Sequence, residues 1–150
     1  MNFIGIALQL TLICTFASAQ VPAGSEGRFS VAGLDDDREV EQFFVSFREG
    51  IANGDKKKVA ALVSYPIRIK LTSAAPVKVR NSADFVRLYD RIIDAKFKRI
   101  IIDTVVKDLW AKSSGVATPG GEIWINGVIK NPKQPNKYTI KVTAINRTVG

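Results

Sequence analysis

The sequence predicts an α+β domain in which helices cover one face of a curved antiparallel sheet. Two patterns support this class. Apolar residues recur every three or four positions in residues 40–51 and 85–105, which is the period of an amphipathic helix. In residues 122–125 and 138–146 they alternate with polar residues, which is the period of a half-buried strand. The chain has 150 residues, 46% of them hydrophobic, so it is long enough for one domain with its own core.

The first segment is a predicted signal peptide at residues 1–19. A long apolar run is followed by Ala17-Ser18-Ala19, a small-x-small cleavage site. We expect cleavage between Ala19 and Gln20, and therefore an exported protein, periplasmic or secreted. Lipidation of Cys14 is not expected, because the large Ile13 precedes it. Since Cys14 is the only cysteine, the predicted mature chain has none and must be stabilised by burial without disulfides.

Charge is divided unevenly along the chain. Residues 20–55 hold three arginines and eight acidic residues, whereas the chain from Lys56 onward holds nineteen basic and six acidic residues. A solvated basic surface that keeps the domain soluble explains this pattern. The alternative is affinity for an anionic envelope polymer, for lipid head groups or for an acidic protein. Nucleic acid is not an expected partner, because no recognition motif for it is present.

A flexible N-terminal lead is predicted at residues 20–36, with Phe29 and Val31 anchoring it to the domain. The acidic run Asp35-Asp36-Asp37 then supplies an N-cap and negative charge for a long first helix. Asn53-Gly54 ends this helix, because glycine adopts the left-handed conformation at little cost. The apolar stripe of the helix consists of Val40, Phe43, Phe44, Phe47 and Ile51.

A short second helix and a strand follow. Asp55 is the predicted N-cap of the helix, and Lys56-Lys57-Lys58 lies in its first turn. Positive charge there is unfavourable against the helix dipole, and we interpret it as a solvated turn rather than a ligand site. Pro66 prevents further helix and forces Tyr65 into an extended conformation. Residues 67–71 then alternate apolar and basic side chains as a strand, with residues 77–79 as its hairpin partner.

A third helix is predicted to begin at the N-cap Ser82, with a continuation to about Val106 after a bend at Ala95-Lys96. We expect two ion pairs on its exposed side, Arg87 with Asp90 and Arg91 with Asp94. Its apolar stripe consists of Phe85, Leu88, Tyr89, Ile92 and Ile93.

Strands make up the rest of the chain. Short extended pieces at residues 109–111 and 116–117 precede a turn at Pro119-Gly120-Gly121. The next strand carries Glu122 and Trp124 on one side, and Gly127 predicts a bulge or a close approach within it. The last strand covers residues 138–146.

Three segments together resemble the nuclear transport factor 2-like (cystatin-like) superfamily. They are FFVSFREGIANGDKKKVAALVSYPIRI at 43–69, SADFVRLYDRII at 82–93 and GVATPGGEIWINGV at 115–128. The resemblance implies a single domain over residues 37–147, in which a cone-shaped curved antiparallel sheet wraps on the long N-terminal helix. More narrowly, the chain looks like a group of small exported bacterial proteins of unassigned function. Domains of this fold often pair through their sheets, so the resemblance also implies a homodimer as a candidate assembly.

The same resemblance implies a pocket between the helix and the sheet. For each aromatic member, simple filling of the core is the alternative interpretation. Glu122 is the most informative polar position, because a carboxylate buried beside the indole of Trp124 would have a raised pKa. If it points outward, Glu122 is an ordinary surface acid. The predicted pocket residues are Phe44, Phe47, Tyr65, Tyr89, Trp110, Glu122 and Trp124.

Most catalytic arrangements are excluded by composition. The chain has no histidine, and the predicted mature chain has no cysteine, which removes imidazole and thiol chemistry and the metal sites built from them. No calcium loop or phosphate-binding loop is present, and we predict no metal and no cofactor. The residues that remain for catalysis are Glu122, as an acid/base, with Tyr65 or Tyr89 as a hydrogen-bond donor.

The sequence therefore leaves three functions open. The leading expectation is an exported, non-enzymatic domain that binds a small ligand or a protein. The first alternative is a small lyase- or isomerase-like enzyme that uses Glu122 in a hydrophobic pocket. The second alternative is a basic module that binds an envelope polymer or forms a dimer.

Overall fold

The computed structural model describes residues 27–71 and 75–147. The predicted signal peptide and cleavage site lie outside these residues. Among the residues described, no helix has the length and apolar character needed to cross a membrane.

In these described residues the chain forms four helices and six strands, which confirms the α+β class. The helices are α1 (Asp37–Ala52), α2 (Lys56–Ala61), α3 (Ser82–Ile92) and α4 (Ala95–Asp103), with short 3₁₀ turns at Ser30–Ala32 and Val106–Asp108. The strands are β1 (Ile67–Ile69), β2 (Val77–Val79), β3 (Trp110–Lys112), β4 (Gly115–Ala117), β5 (Ile123–Ile129) and β6 (Tyr138–Ile145). β1 and β2 form a two-stranded antiparallel sheet, and β3 to β6 form a four-stranded antiparallel sheet in sequence order.

The chain that leaves α2 covers the outer edge of β6. Val63 forms a parallel bridge with Val142. The Val142 amide donates to the Leu62 carbonyl at 2.9 Å, and the Ser64 amide donates to the Val142 carbonyl at 2.8 Å. The next strand, β1, lies beside β6. The two sheets are therefore connected through this short extended segment.

The core lies between the helices and one face of the four-stranded sheet. From α1 it takes the fully buried Val40, Phe44, Phe47 and Ile51, as the apolar stripe predicts. From the sheet it takes the alternate residues of β5 and β6 that point inward, including Ile123, Ile125 and Val142. Within the part of the chain that the structure describes, the opposite face of this sheet contributes nothing to the core cluster and is left open.

Part of the predicted N-terminal lead belongs to this core. Phe29 and Leu34 are almost completely buried, whereas Val31 is 58% exposed. The Asp37 carboxylate accepts hydrogen bonds from the amides of Arg28 and Phe29, at 2.9 and 3.1 Å, and so fixes this segment on the start of α1. The packed part of the chain therefore begins before the predicted boundary at residue 37, and Leu34 takes the anchoring place predicted for Val31.

Two of the three N-caps predicted from the sequence are confirmed. The side chain of Asp36 accepts from the Glu39 amide, and that of Asp55 accepts from the Lys58 amide, as predicted. The prediction for α3 is wrong by one residue. Asn81 is its N-cap and Ser82 is the first helical residue, because the Asn81 side chain accepts from the Asp84 amide.

The predicted ion pairs of α3 are also wrong. Arg87 reaches back to Asp84, at 2.8 Å, and Arg80 binds the same carboxylate at 3.0 Å. The hydrogen bond from Arg80, with the charges of both guanidinium groups, holds the pKa of Asp84 below its ordinary value. Asp90 and Asp94 bind distant partners instead, Lys56 and Arg147 respectively.

The predicted continuation of α3 is also shorter than expected. A break at Ile93–Asp94 separates α3 from α4, two residues before the predicted bend, and α4 ends at Asp103.

Candidate functional site

The open face of the four-stranded sheet carries both tryptophans of the chain. By strand register, Trp110 on β3 lies opposite Ala117 on β4, and Ala117 lies opposite Trp124 on β5. On the other side of Trp124 lies Ala144 of β6. Large and small side chains therefore alternate in one row across all four strands. We call this outward side of β3 to β6 the tryptophan face.

The two indoles pack on each other over Ala117. Their ring centroids are 5.3 Å apart with planes at 82°, an edge-to-face arrangement. Ala117 is fully buried although it lies outside the core cluster, because the indoles cover it. Trp110 remains 38% exposed, and its indole nitrogen donates to the Thr118 carbonyl at 2.9 Å. The pair is thus a packed aromatic platform that is partly open to solvent.

Lys112 adds a positive charge to this platform. It lies two residues after Trp110, on the same side of β3. Its ammonium nitrogen is 4.7 Å from the ring centroid of Trp124 and 5.7 Å from that of Trp110, within cation–π range of both. The platform therefore combines exposed aromatic area with a cation, a combination suited to a planar or anionic partner group.

Thr118 and Glu122 hold the turn that brings the two tryptophan strands together. The buried Thr118 hydroxyl donates to the Glu122 carboxylate at 2.6 Å and accepts from the Ile123 amide at 3.2 Å. Glu122 is only partly buried. Its carboxylate has a defined structural partner, and it fixes the β4–β5 turn beneath the platform.

The other predicted pocket residues lie in the helical half of the molecule. Phe44 and Phe47 are fully buried in the core, as the core-filling interpretation expects. Tyr65 and Tyr89 each pack edge-to-face with Phe85, with centroid distances of 6.3 and 6.2 Å. The tyrosines and the tryptophan face are separate aromatic clusters.

The hydroxyls of the two tyrosines are in different situations. Tyr65 donates to the Ala60 carbonyl at 2.8 Å. Within the described residues, the buried Tyr89 hydroxyl has no hydrogen-bond partner. Burial raises the pKa of Tyr65, and burial together with the charges of Asp90 and Asp55 raises the pKa of Tyr89. Both hydroxyls are therefore protonated at neutral pH.

These contacts leave Glu122 without a catalytic partner among the predicted residues. Its carboxylate is bonded to Thr118, whereas the two tyrosine hydroxyls are bonded to Ala60 or to nothing in the described structure. General acid/base chemistry needs hydrogen-bond reach between the groups and a shared substrate position. Among the residues that the structure describes, no group of three acidic, histidine or cysteine side chains is placed to hold a metal ion.

Three open depressions lie along the exposed side of α1 or beside it. Their volumes are 860, 430 and 550 Å³. The first is mainly charged and includes Asp35, Asp36 and Asp37 at the start of α1. The third lies between α1 and β6. None of the three is lined by the pocket residues predicted from the sequence.

Lys112 on the tryptophan face and Thr118 beside it are not among the site residues predicted from the sequence. Lys112 could have been found from strand alternation, since it shares a side with Trp110. Thr118 could not have been found in this way, because its role depends on the closure of a turn over four residues.

Comparison with family models, curated proteins and solved structures gave no match to this chain.

Proposed function

We propose that this chain is an exported, non-enzymatic binding domain, and that it takes its ligand or protein partner on the tryptophan face. One observation carries the proposal. The only two tryptophans of the chain lie side by side on the face of the sheet that the helices leave open. Tryptophan is enriched at binding interfaces, because it offers a large contact area at a small cost in conformational entropy.

A nuclear transport factor 2-like arrangement, with a cone-shaped sheet wrapped on α1, is part of this proposal. It is supported by the element order, in which two helices, a hairpin and two more helices precede a four-stranded meander. It is also supported by the position of α1, whose buried apolar residues belong to the same core cluster as the inward residues of the sheet. Export, with removal of residues 1–19, is proposed from the leader sequence alone.

The enzyme alternative has less support. A Glu122-dependent lyase or isomerase requires its carboxylate near a tyrosine hydroxyl, and Glu122 is bonded to Thr118. A homodimer is one form that the proposed binding can take, with a second copy of the chain as the protein partner.

Photo-crosslinking in the native host tests the proposal. A benzophenone amino acid at Val128, an outward position of β5, reports partners on the tryptophan face. The same amino acid at Ile102, which is exposed on α4, is the matched control on the helical side. We expect a crosslinked partner from position 128 only, and we expect Trp124→Ala to abolish it.

Each outcome of this experiment bears on the proposal. A crosslink between two copies of the chain identifies the homodimer form. Equal crosslinking from both positions, or a product that survives Trp124→Ala, contradicts a site on the tryptophan face. The mass of the mature protein, recovered from periplasm or medium, tests cleavage after Ala19 separately.

A further inference from the structure

A second surface is built by the β1–β2 hairpin, which carries only basic residues among its charged outward side chains. The inward positions Ile67, Ile69 and Val79 are buried in the core. The outward positions between and beyond them are exposed. We call the outward side of this hairpin the basic stripe, and it consists of Arg68, Lys70, Lys78 and Arg80.

The centre of the basic stripe is a pair of like charges in direct register. Arg68 and Lys78 are cross-strand partners. Like charges placed directly opposite each other destabilise an antiparallel pair. In the part of the chain that the structure describes, neither residue takes part in a salt bridge, and the same holds for Lys70. The hairpin thus carries a repulsion that its own structure does not relieve.

The register also gives the stripe its shape. Lys70 lies two residues from Arg68 towards one end of the hairpin, and Arg80 lies two residues from Lys78 towards the other end. Two residues of a strand span about 7 Å, so the four cations extend over about 14 Å. Arg80 shares the carboxylate of Asp84 with Arg87, and one acid between two guanidinium groups leaves this end of the stripe positive.

The charge and the shape of the basic stripe together indicate the kind of partner it binds. A narrow row of cations at regular steps fits a linear polymer with repeated anionic groups. A membrane surface fits less well, since peripheral binding normally adds apolar side chains to the basic ones, and no large apolar residue of the hairpin is exposed. Guanidinium and ammonium groups both bind phosphate oxygens through charge-assisted hydrogen bonds.

We propose that the basic stripe binds a linear phosphodiester polymer of the cell envelope, with one phosphate opposite each step of the stripe. The choice of an envelope polymer rests on the proposed export, whereas the binding of phosphate groups does not. This surface lies on the hairpin and not on the tryptophan face, so the two proposals can fail independently.

The test uses poly(glycerol phosphate) as the probe and the protein expressed from its full sequence and purified as the host processes it. We expect Lys78→Glu to weaken affinity by about tenfold or more, because it reverses the charge at the centre of the stripe. We also expect the logarithm of affinity to fall with the logarithm of salt concentration, with a slope of roughly −2 to −3 for three or four contacts.

Thermal unfolding separates loss of binding from loss of fold. Lys78→Glu creates an opposite-charge pair with Arg68, so its melting temperature is expected to stay level or rise. Lys133→Glu, in the exposed loop before β6, makes the same change in net charge and should keep the affinity within about twofold. Trp124→Ala should also leave polymer affinity unchanged.

Several results would overturn the proposal. The first is that the unmodified protein does not bind the polymer, and the second is that Lys133→Glu loses as much polymer affinity as Lys78→Glu. The third is equal affinity for polyglutamate and for the polymer. The fourth is binding to vesicles of phosphatidylglycerol and phosphatidylethanolamine without binding to the polymer. If polymer binding is absent while the Val128 crosslink persists, only the basic stripe is refuted and the tryptophan face stands.

Discussion

The two tyrosines that pack on Phe85 differ in what their hydroxyls contact. The Tyr65 hydroxyl donates to Ala60, whereas the buried Tyr89 hydroxyl has no partner in the described structure. We expect Tyr65→Phe to lower the free energy of unfolding by about 1 kcal/mol, since it deletes the hydrogen bond from the hydroxyl, while the Ala60 carbonyl keeps its bond from the Val63 amide. We expect Tyr89→Phe to be neutral or stabilising, because it removes an unpaired buried polar group. Urea unfolding of both variants measures the difference, and an equal loss in both would contradict it.

The hydrogen bonds of Thr118, which lies close to the tryptophan face, can be tested by a single substitution. Thr118→Val keeps the side-chain shape but removes the donor to Glu122 and the acceptor for the Ile123 amide. We expect the free energy of unfolding to fall by about 1–3 kcal/mol, because the amide is buried. Glu122→Gln keeps an acceptor for Thr118 and is the control, with a smaller expected loss. If both variants unfold like the unmodified protein, the turn does not depend on this network.

Of the glycines that the structure describes, Gly127 in the β5–β6 pair lies closest to an aromatic ring. A Cβ atom on Gly127 would lie 2.8 Å from the ring of Tyr138, so Gly127→Ala must displace that ring. We expect a loss of about 1–3 kcal/mol in the free energy of unfolding. In a Tyr138→Ala background the added cost of Gly127→Ala should largely disappear. A double-mutant cycle by chemical denaturation measures this coupling, and additive losses would show that the ring is not the cause.

The elements themselves were largely predictable from local sequence, but their ion pairs were not. Aspartates ahead of an apolar stripe predict N-caps, and Asp36 and Asp55 occupy them because capping depends only on the next few residues. The partner of Asp90 is Lys56, 34 residues away, and no local pattern contains that contact. A spacing of three residues makes an ion pair geometrically available within a helix, while packing between helices decides which pairs form.

At the scale of the whole molecule, the domain includes the segment before α1. Phe29 is almost completely buried and Val31 is exposed, so Phe29→Ala should lower the free energy of unfolding by about 3–5 kcal/mol. Val31→Ala should change it by no more than about 0.5 kcal/mol. Guanidinium unfolding of the two variants provides the comparison. A small effect of Phe29→Ala would mean that this segment is not part of the cooperative fold.

The candidate site was predictable only in part. The sequence predicts Trp110 and Trp124 as site residues, but in an enclosed pocket. Alternation along a strand says which residues share a side, and it does not say which side the helices will cover. The register between β3, β4 and β5, which places both indoles over Ala117, depends on two turns whose closure is a property of the folded sheet.

The segment at residues 62–64 has a consequence for how the protein behaves at high concentration. Free sheet edges template the addition of strands from other molecules and are a common origin of aggregation and fibres. Here the chain itself occupies the β6 edge, while the opposite edge strand, β3, is three residues long and ends in a lysine. Recruitment of foreign strands at β3 and at the part of β6 around Val142 is therefore disfavoured.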